Sequence, residues 1–341
     1  MSHRIDLNYG AVQNRSLTDS ISQYKFHRKA NTRLCNYLRR YPVLPDSFVI
    51  EILDEWDFST FTLNRICYEV EPSLPVNAFL LVPRRKGRKA PGILALHQHN
   101  DEYKAGKSET VGLVKNPQYT KLEPVPPDPS YETPQGRKQM AYARELCERG
   151  FVVLAPDFIG FEEYRDVDEY YDEVGFIRGY EEMLSSKYLL YGSCLMAKHL
   201  HDLYVAVSIL SACEAVDPTR IGVFGHSLGG EMAIVLTTFD SRTKAGASSG
   251  GALSYDAFEQ SGRMETAEAT LPNFRADGHD FDFFLDMIPP TPFLLAYGKD
   301  DPSHQMISQH AELEMLVFEG GHELPKEVRE SVYSFLTSHL R

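Results

Sequence analysis

The pentapeptide Gly225-His226-Ser227-Leu228-Gly229 constrains this chain more than any other stretch of it. Arg220-Ile221-Gly222-Val223-Phe224 precedes it as a short, strand-like apolar segment, and Gly230-Glu231-Met232-Ala233-Ile234-Val235-Leu236 follows with the character of a helix. A G-x-S-x-G run between a strand and a helix needs a turn so tight that the residues two before and two after the serine are nearly free of side chain. Such a turn lifts the hydroxyl clear of the sheet and aims the N-terminal N–H groups of the next helix at it. Ser227 is therefore the candidate nucleophile.

A serine nucleophile needs a general base, and the base needs an acid to fix its tautomer and stabilise its charged form. Pro292-Phe293-Leu294-Leu295-Ala296-Tyr297-Gly298 reads as a strand, and Lys299-Asp300-Asp301-Pro302 follows it. Glu314-Met315-Leu316-Val317-Phe318-Glu319 reads as the next strand and ends in Gly320-Gly321-His322. An acid after one strand and a histidine after the next both come to the sheet edge that carries the serine. Pro302 can open a helix at its first position, which leaves Asp301 in the loop and favours it over Asp300. His304 and His310 fall in the helix expected after Pro302, so His322 is the candidate base. The oxyanion site calls for the N–H of Leu228 and a second N–H from the loop His97-Gln98-His99-Asn100, after the strand Pro91–Leu96.

With these residues assembled, the chain resembles the α/β-hydrolases, in particular the dienelactone-hydrolase and acetyl-xylan-esterase-like group. In that group the strand ends in His-Gly followed by the oxyanion residue, which by position is His99 here. Gln98 stands where the glycine is customary, and its side chain is a second candidate donor. Gly106-Lys107-Ser108-Glu109 with Gly112-Leu113, and Ala155-Pro156-Asp157-Phe158-Ile159-Gly160-Phe161, also look like loops of that group. The resemblance covers residues 60–341. It implies a mostly parallel, doubly wound sheet with helices on both faces and a serine esterase working through an acyl-enzyme, with no cofactor and no metal.

A rival reading begins in the same loop. His97-x-His99-x-Asp101 imitates a metal-hydrolase signature, and two histidines at i, i+2 after a strand could ligate zinc. Glu102 stands where such enzymes want another histidine, and a buried, hydrogen-bonded structural role is the expectation for His97. A non-catalytic binding protein on the same fold is the other alternative.

The formal charge of −13 argues against nucleic acid and anionic membranes as partners, while the resemblance implies a small-molecule ester substrate. Residues 1–40 hold eight Lys/Arg against two Asp, a net of +6, so the rest carries −19. The basic arm is expected to pack on the acidic body, its own or that of a second subunit, which leaves a homo-oligomer open. Cys35, Cys67, Cys147, Cys194 and Cys213 are odd in number and show no C-x-x-C, as reduced thiols of a cytoplasmic protein would. Neither a signal-peptide core nor a membrane-length apolar run is visible.

The expected organisation is an N-terminal helical extension over 1–60, with helices within 11–40, and a catalytic domain over 61–341. Phe61–Val70 and Val76–Val82 predict a hairpin at the sheet's leading edge. Strands then alternate with helices at 135–148, 187–212 and 326–339, with a turn at Asp217-Pro218-Thr219. Three insertions break the rhythm. Residues 100–134 are proline-rich, 161–192 dense in acids and tyrosines, and 251–288 aromatic. The first two follow strands and are expected to wall or cover the pocket.

Overall fold

The alternation of apolar runs and helices folds as a ten-stranded sheet. A computed structural model describes residues 3–8, 47–84, 87, 89–99, 105–115, 122–124, 140–164, 177–262, 267–302 and 312–341. The strands are β1 His3–Asn8, β2 Ser47–Asp57, β3 Phe61–Glu71, β4 Leu74–Pro83, β5 Ala90–Leu96, β8 Val152–Pro156, β9 Val216–His226, β10 Thr243–Ser249, β11 Phe293–Gly298 and β12 Glu314–Phe318. Short strands β6 Leu113–Lys115 and β7 Leu122–Pro124 pair separately. The order across the sheet is β1-β2-β3-β4-β8-β5-β9-β10-β11-β12. From β8 to β12 all neighbours are parallel, and β1 to β4 add to β8 in antiparallel fashion.

Helices cover both faces. They are α1 Lys107–Val111, α2 Tyr142–Glu148, α3 Ile177–Leu190, α4 Leu195–Ala212, α5 Leu228–Phe239, α6 Tyr255–Ser261, α7 Asp282–Asp286 and α8 Lys326–Leu340. Side chains alternate across the sheet, so Leu94 and Leu96 of β5 join α4 and α5 in one core. Ile93 and Ala95 join α2 and α8 in the other. Strands buried on both faces need continuous apolar sequence, and every residue of β5 and β8 is buried. Helix α5 is enclosed along its whole length, which explains why its sequence is mostly apolar on every face, with Glu231, Thr237 and Thr238 as buried exceptions.

The sheet also corrects parts of the sequence reading. Within the segment expected to be a helical extension, His3–Asn8 and Ser47–Asp57 are strands, and β2 pairs along β3 through the turn at residues 58–60. The β3–β4 hairpin is therefore not the leading edge. The helices expected within 11–40, and most of the 100–134 insertion, lie outside the described residues. The helix expected over 187–212 is two helices, divided where Gly192 takes φ +71°. There the N–H of Ser193 donates to the Tyr188 carbonyl and that of Gly192 to the Leu189 carbonyl, the bonding that ends a helix on a left-handed residue. The Asp217-Pro218-Thr219 turn lies inside β9, as an irregularity in its register with β5 between Val216 and Ile221. Thr219 donates through both its N–H and its hydroxyl to Asp217 Oδ1 there, at 3.0 and 2.7 Å.

Connections from β5 run to β8 on one side, and the chain then returns past β5 to β9 on the other. The carboxyl ends of β5 and β9 thus flank a topological switch point, where parallel sheets open a crevice. The elbow and the 97–99 loop stand at that crevice.

Candidate active site

Ser227 sits between β9 and α5 with φ +54° and ψ −124°, a backbone region that costs a non-glycine residue on the order of 1–3 kcal/mol. Its neighbours leave no alternative. A Cβ on Gly229 would lie 2.1 Å from the Leu96 carbonyl oxygen, and one on Gly225 would lie 2.3 Å from the Gly229 backbone. The Ser227 N–H donates to the Ser249 carbonyl at 2.8 Å, fastening the elbow to the end of β10, and its own carbonyl accepts from the Glu231 N–H at 2.8 Å to begin α5.

His322 reaches the serine from the loop after β12. Its Nε2 is 2.8 Å from Ser227 Oγ and its Nδ1 is 2.6 Å from Asp301 Oδ2. Asp301 is buried and accessible to solvent by only 1%, whereas the His322 ring is half-exposed. Asp300 points outward and donates its N–H to the Gly320 carbonyl at 2.9 Å. The acid and histidine loops lock together by backbone contact, since a Cβ on Gly298 would fall within 2.3 Å of the Gly320 and Gly321 carbonyl oxygens. Such approach explains why one loop starts in Tyr297-Gly298 and the other in Gly320-Gly321.

Two residues that the sequence reading passed over shape this corner. His226 lies beneath the base, its ring centre 5.2 Å from that of His322 and its Nδ1 3.3 Å from Ser249 Oγ. Burial, reinforced by the neighbouring His322, pushes the His226 pKa down to about 3, so it stays neutral. Gly250, at φ +59°, leaves the space in which the His322 ring lies, because a Cβ there would stand 3.1 Å from His322 Cε1. The local signal for both was adjacency to the serine or to the end of a parallel strand.

On the other flank, His97 is buried with both ring nitrogens engaged. Its Nδ1–H donates to the Gln98 carbonyl at 2.8 Å and its Nε2 accepts from the Phe158 N–H at 3.0 Å. Burial lowers its pKa to about 4. The ring is a structural bracket between two loops and is closed as a metal ligand, while Asp101 lies outside the described residues. Gln98 donates its side-chain amide to Glu109 at 2.9 Å. His99 turns its Nε2 to within 3.3 Å of Glu181 Oε2 on α3. Leu228 is the first residue of α5, where a backbone N–H has no partner within its own helix.

Lys107 organises this flank. It is fully buried, and its Nζ lies 2.5 Å from Asp157 Oδ2, 2.8 Å from Glu162 Oε2 and 2.8 Å from Glu163 Oε2. Glu162 also accepts the N–H groups of Gly106 and Ser108, and Asp157 that of Lys107, so the two carboxylates close the start of α1. Burial works against the ammonium, but the three carboxylates outweigh it and hold the Lys107 pKa above its ordinary value. Replacing Lys107 with Met leaves buried acids without their cation. The expected loss is on the order of 3–5 kcal/mol, read as a lower urea midpoint. A midpoint within error of wild type would show that the cluster is not what holds these loops.

The comparisons agree with this architecture. Residues 135–273, which include the elbow, match the dienelactone hydrolase family. YtaP of Bacillus subtilis (strain 168), provisionally named a hydrolase, is 28% identical over 205 residues, which are 60% of this chain and 56% of that protein. The matched segment thus spans little over half of that relative. Among solved structures, a glucuronoyl esterase from Solibacter usitatus superposes with a TM-score of 0.58 at 14% identity, covering 92% of this chain and 93% of that one. An acetyl xylan esterase from Paenibacillus sp. R4 gives 0.58 at 17% identity, covering 91% and 93%. Among the described residues no helix is long and apolar enough to cross a membrane. By sheet order, elbow and superposition the chain has the α/β-hydrolase fold, and its central part is similar to the dienelactone hydrolase family.

Proposed function

We propose that the chain is a serine esterase acting on a small-molecule carboxylic ester, with Ser227 as nucleophile, His322 as base and Asp301 as the acid that orients it. The observation that carries this reading is the unbroken path Asp301–His322–Ser227, at 2.6 and 2.8 Å, ending on a serine held at positive φ. Ser227 Oγ attacks the ester carbonyl and His322 Nε2 takes its proton. Leu228 and His99 present backbone N–H groups to the resulting oxyanion. Collapse breaks the bond to the alcohol, which leaves with the proton from His322. Water, deprotonated by the same ring, then releases the acid and restores Ser227. The solved neighbours named for glucuronoyl and acetyl xylan esters support a carbohydrate ester as the first substrate class to assay. No cofactor is required by these steps.

The test is intact-protein mass spectrometry after treatment with an alkyl fluorophosphonate. One phosphonyl adduct, formed with loss of fluoride, is expected on the wild type and not on Ser227→Ala. A folded wild type that takes no adduct, or a mutant that takes the same one, would overturn the assignment.

A further inference from the structure

Among the described residues three groups of wholly or partly buried acids stand out, and two of them contain their own cation. Asp157, Glu162 and Glu163 surround Lys107. Glu71 and Asp202 bind Lys198, the latter at 2.8 Å, with His201 Nδ1 3.1 Å from the same aspartate. The third group is His99, Glu181 and Glu268, whose potential ligand atoms all lie within 4.8 Å of one another. Glu268 is only 1% exposed, and neither of its carboxylate oxygens has a hydrogen-bond partner. A buried carboxylate without donors is costly unless a positive charge meets it.

The geometry supplies a form for that charge. His99 Nε2 and Glu181 Oε2 are 3.3 Å apart. Two ligands at ~2.0–2.1 Å on a tetrahedral ion stand roughly 3.3 Å from each other. One imidazole and two carboxylates suit a first-row divalent ion of borderline or hard character. We propose that His99, Glu181 and Glu268 bind one Zn²⁺ or Mn²⁺ ion, with water in the remaining position.

The three ligands come from separate elements. His99 is in the loop after β5, Glu181 is on α3, and Glu268 follows α6 in a segment that Ala267 ties to α3 by accepting from Ser185 Oγ at 3.3 Å. The ion therefore pins two insertions to the residue whose N–H is assigned to the oxyanion. Its role is positional, and all of the chemistry stays on Ser227 and His322. Only this role rests on the esterase reading; the binding itself does not.

The binding is tested on the chelator-stripped Ser227→Ala chain, without an affinity tag, by calorimetric titration with ZnCl₂ and with MnCl₂. One equivalent of one of these ions is expected to bind and to raise Tm. Glu268→Gln and Glu181→Gln, both near-isosteric and checked for folding by circular dichroism, are expected to weaken binding at least tenfold. Absence of saturable binding of either ion, or equal affinity in both variants, would overturn the site. So would a metal-free Glu268→Gln chain that is more stable than its parent and no weaker a binder, the signature of an acid pair sharing a proton. In the wild type, stripping the ion is expected to lower kcat at unchanged KM, since the oxyanion contact is made in the transition state. A change in Tm alone would overturn the link to the oxyanion loop.

Discussion

Ser227→Ala and His322→Ala are each expected to lower ester turnover by about a million-fold, and the double substitution to cost little more than either alone. The non-additivity follows from the geometry. On the proposed mechanism the hydroxyl is a nucleophile only while His322 Nε2 stands 2.8 Å away to take its proton, so removing either group removes one function, not two. Asp301→Asn keeps the shape of the acid but offers an amide where the ring needs an acceptor, and about ten-thousand-fold is the expected loss. Ser227→Gly sharpens the test. It removes the side chain from a φ of +54° and is expected to gain about 1 kcal/mol of stability while losing activity as fully as the alanine variant. Rates of purified variants on a chromogenic acetate ester, with urea unfolding alongside, check all four. Activity within tenfold of wild type in Ser227→Ala would place the chemistry elsewhere.

The second large effect is structural. Gly229→Ala puts a methyl group 2.1 Å from the Leu96 carbonyl oxygen, where the obstacle is backbone that cannot rotate aside. Either α5 or the end of β5 must move, and both carry N–H groups assigned to the oxyanion. Loss of about 3 kcal/mol of stability and at least a hundredfold in kcat is expected. Gly262→Ala is the control. It also sits at positive φ, +68°, but nothing lies within 4 Å of its added Cβ, so only a backbone cost of about 1 kcal/mol applies. Equal stabilities for the two variants would mean that the close approach at Gly229 is not a constraint.

The elbow and the positions of Asp301 and His322 beside it were legible because each is encoded at the end of its own strand. Gly225, Gly229, Gly298 and Gly320-Gly321 mark the contacts that make these turns, and only small residues pass there. Strand β2 was equally available, since Phe48 and Ile50 are buried and Val49 and Glu51 exposed in strict alternation, but the polar stretch with scattered apolar positions before it suggested a helical extension. Gly192 announced the break between α3 and α4. The partners of Lys107 and His99 were beyond reach. Each depends on side chains from segments 50 or more positions away, and no local pattern encodes which loops meet. Gln98 gave no such signal either, although the Glu109 that takes up its amide is only 11 positions on.

The order of strands separates two kinds of evolutionary freedom. Asp301 and His322, proposed to handle the proton, arrive from β11 and β12 on one side of the elbow, and the loops carrying His97, His99 and the Lys107 cluster arrive from β5 and β8 on the other. Mutations on the second side can reshape what the crevice accepts without touching the relay, because α1 and the acids that cap it are anchored within that side alone. A lineage built on this plan can change diet while keeping its engine.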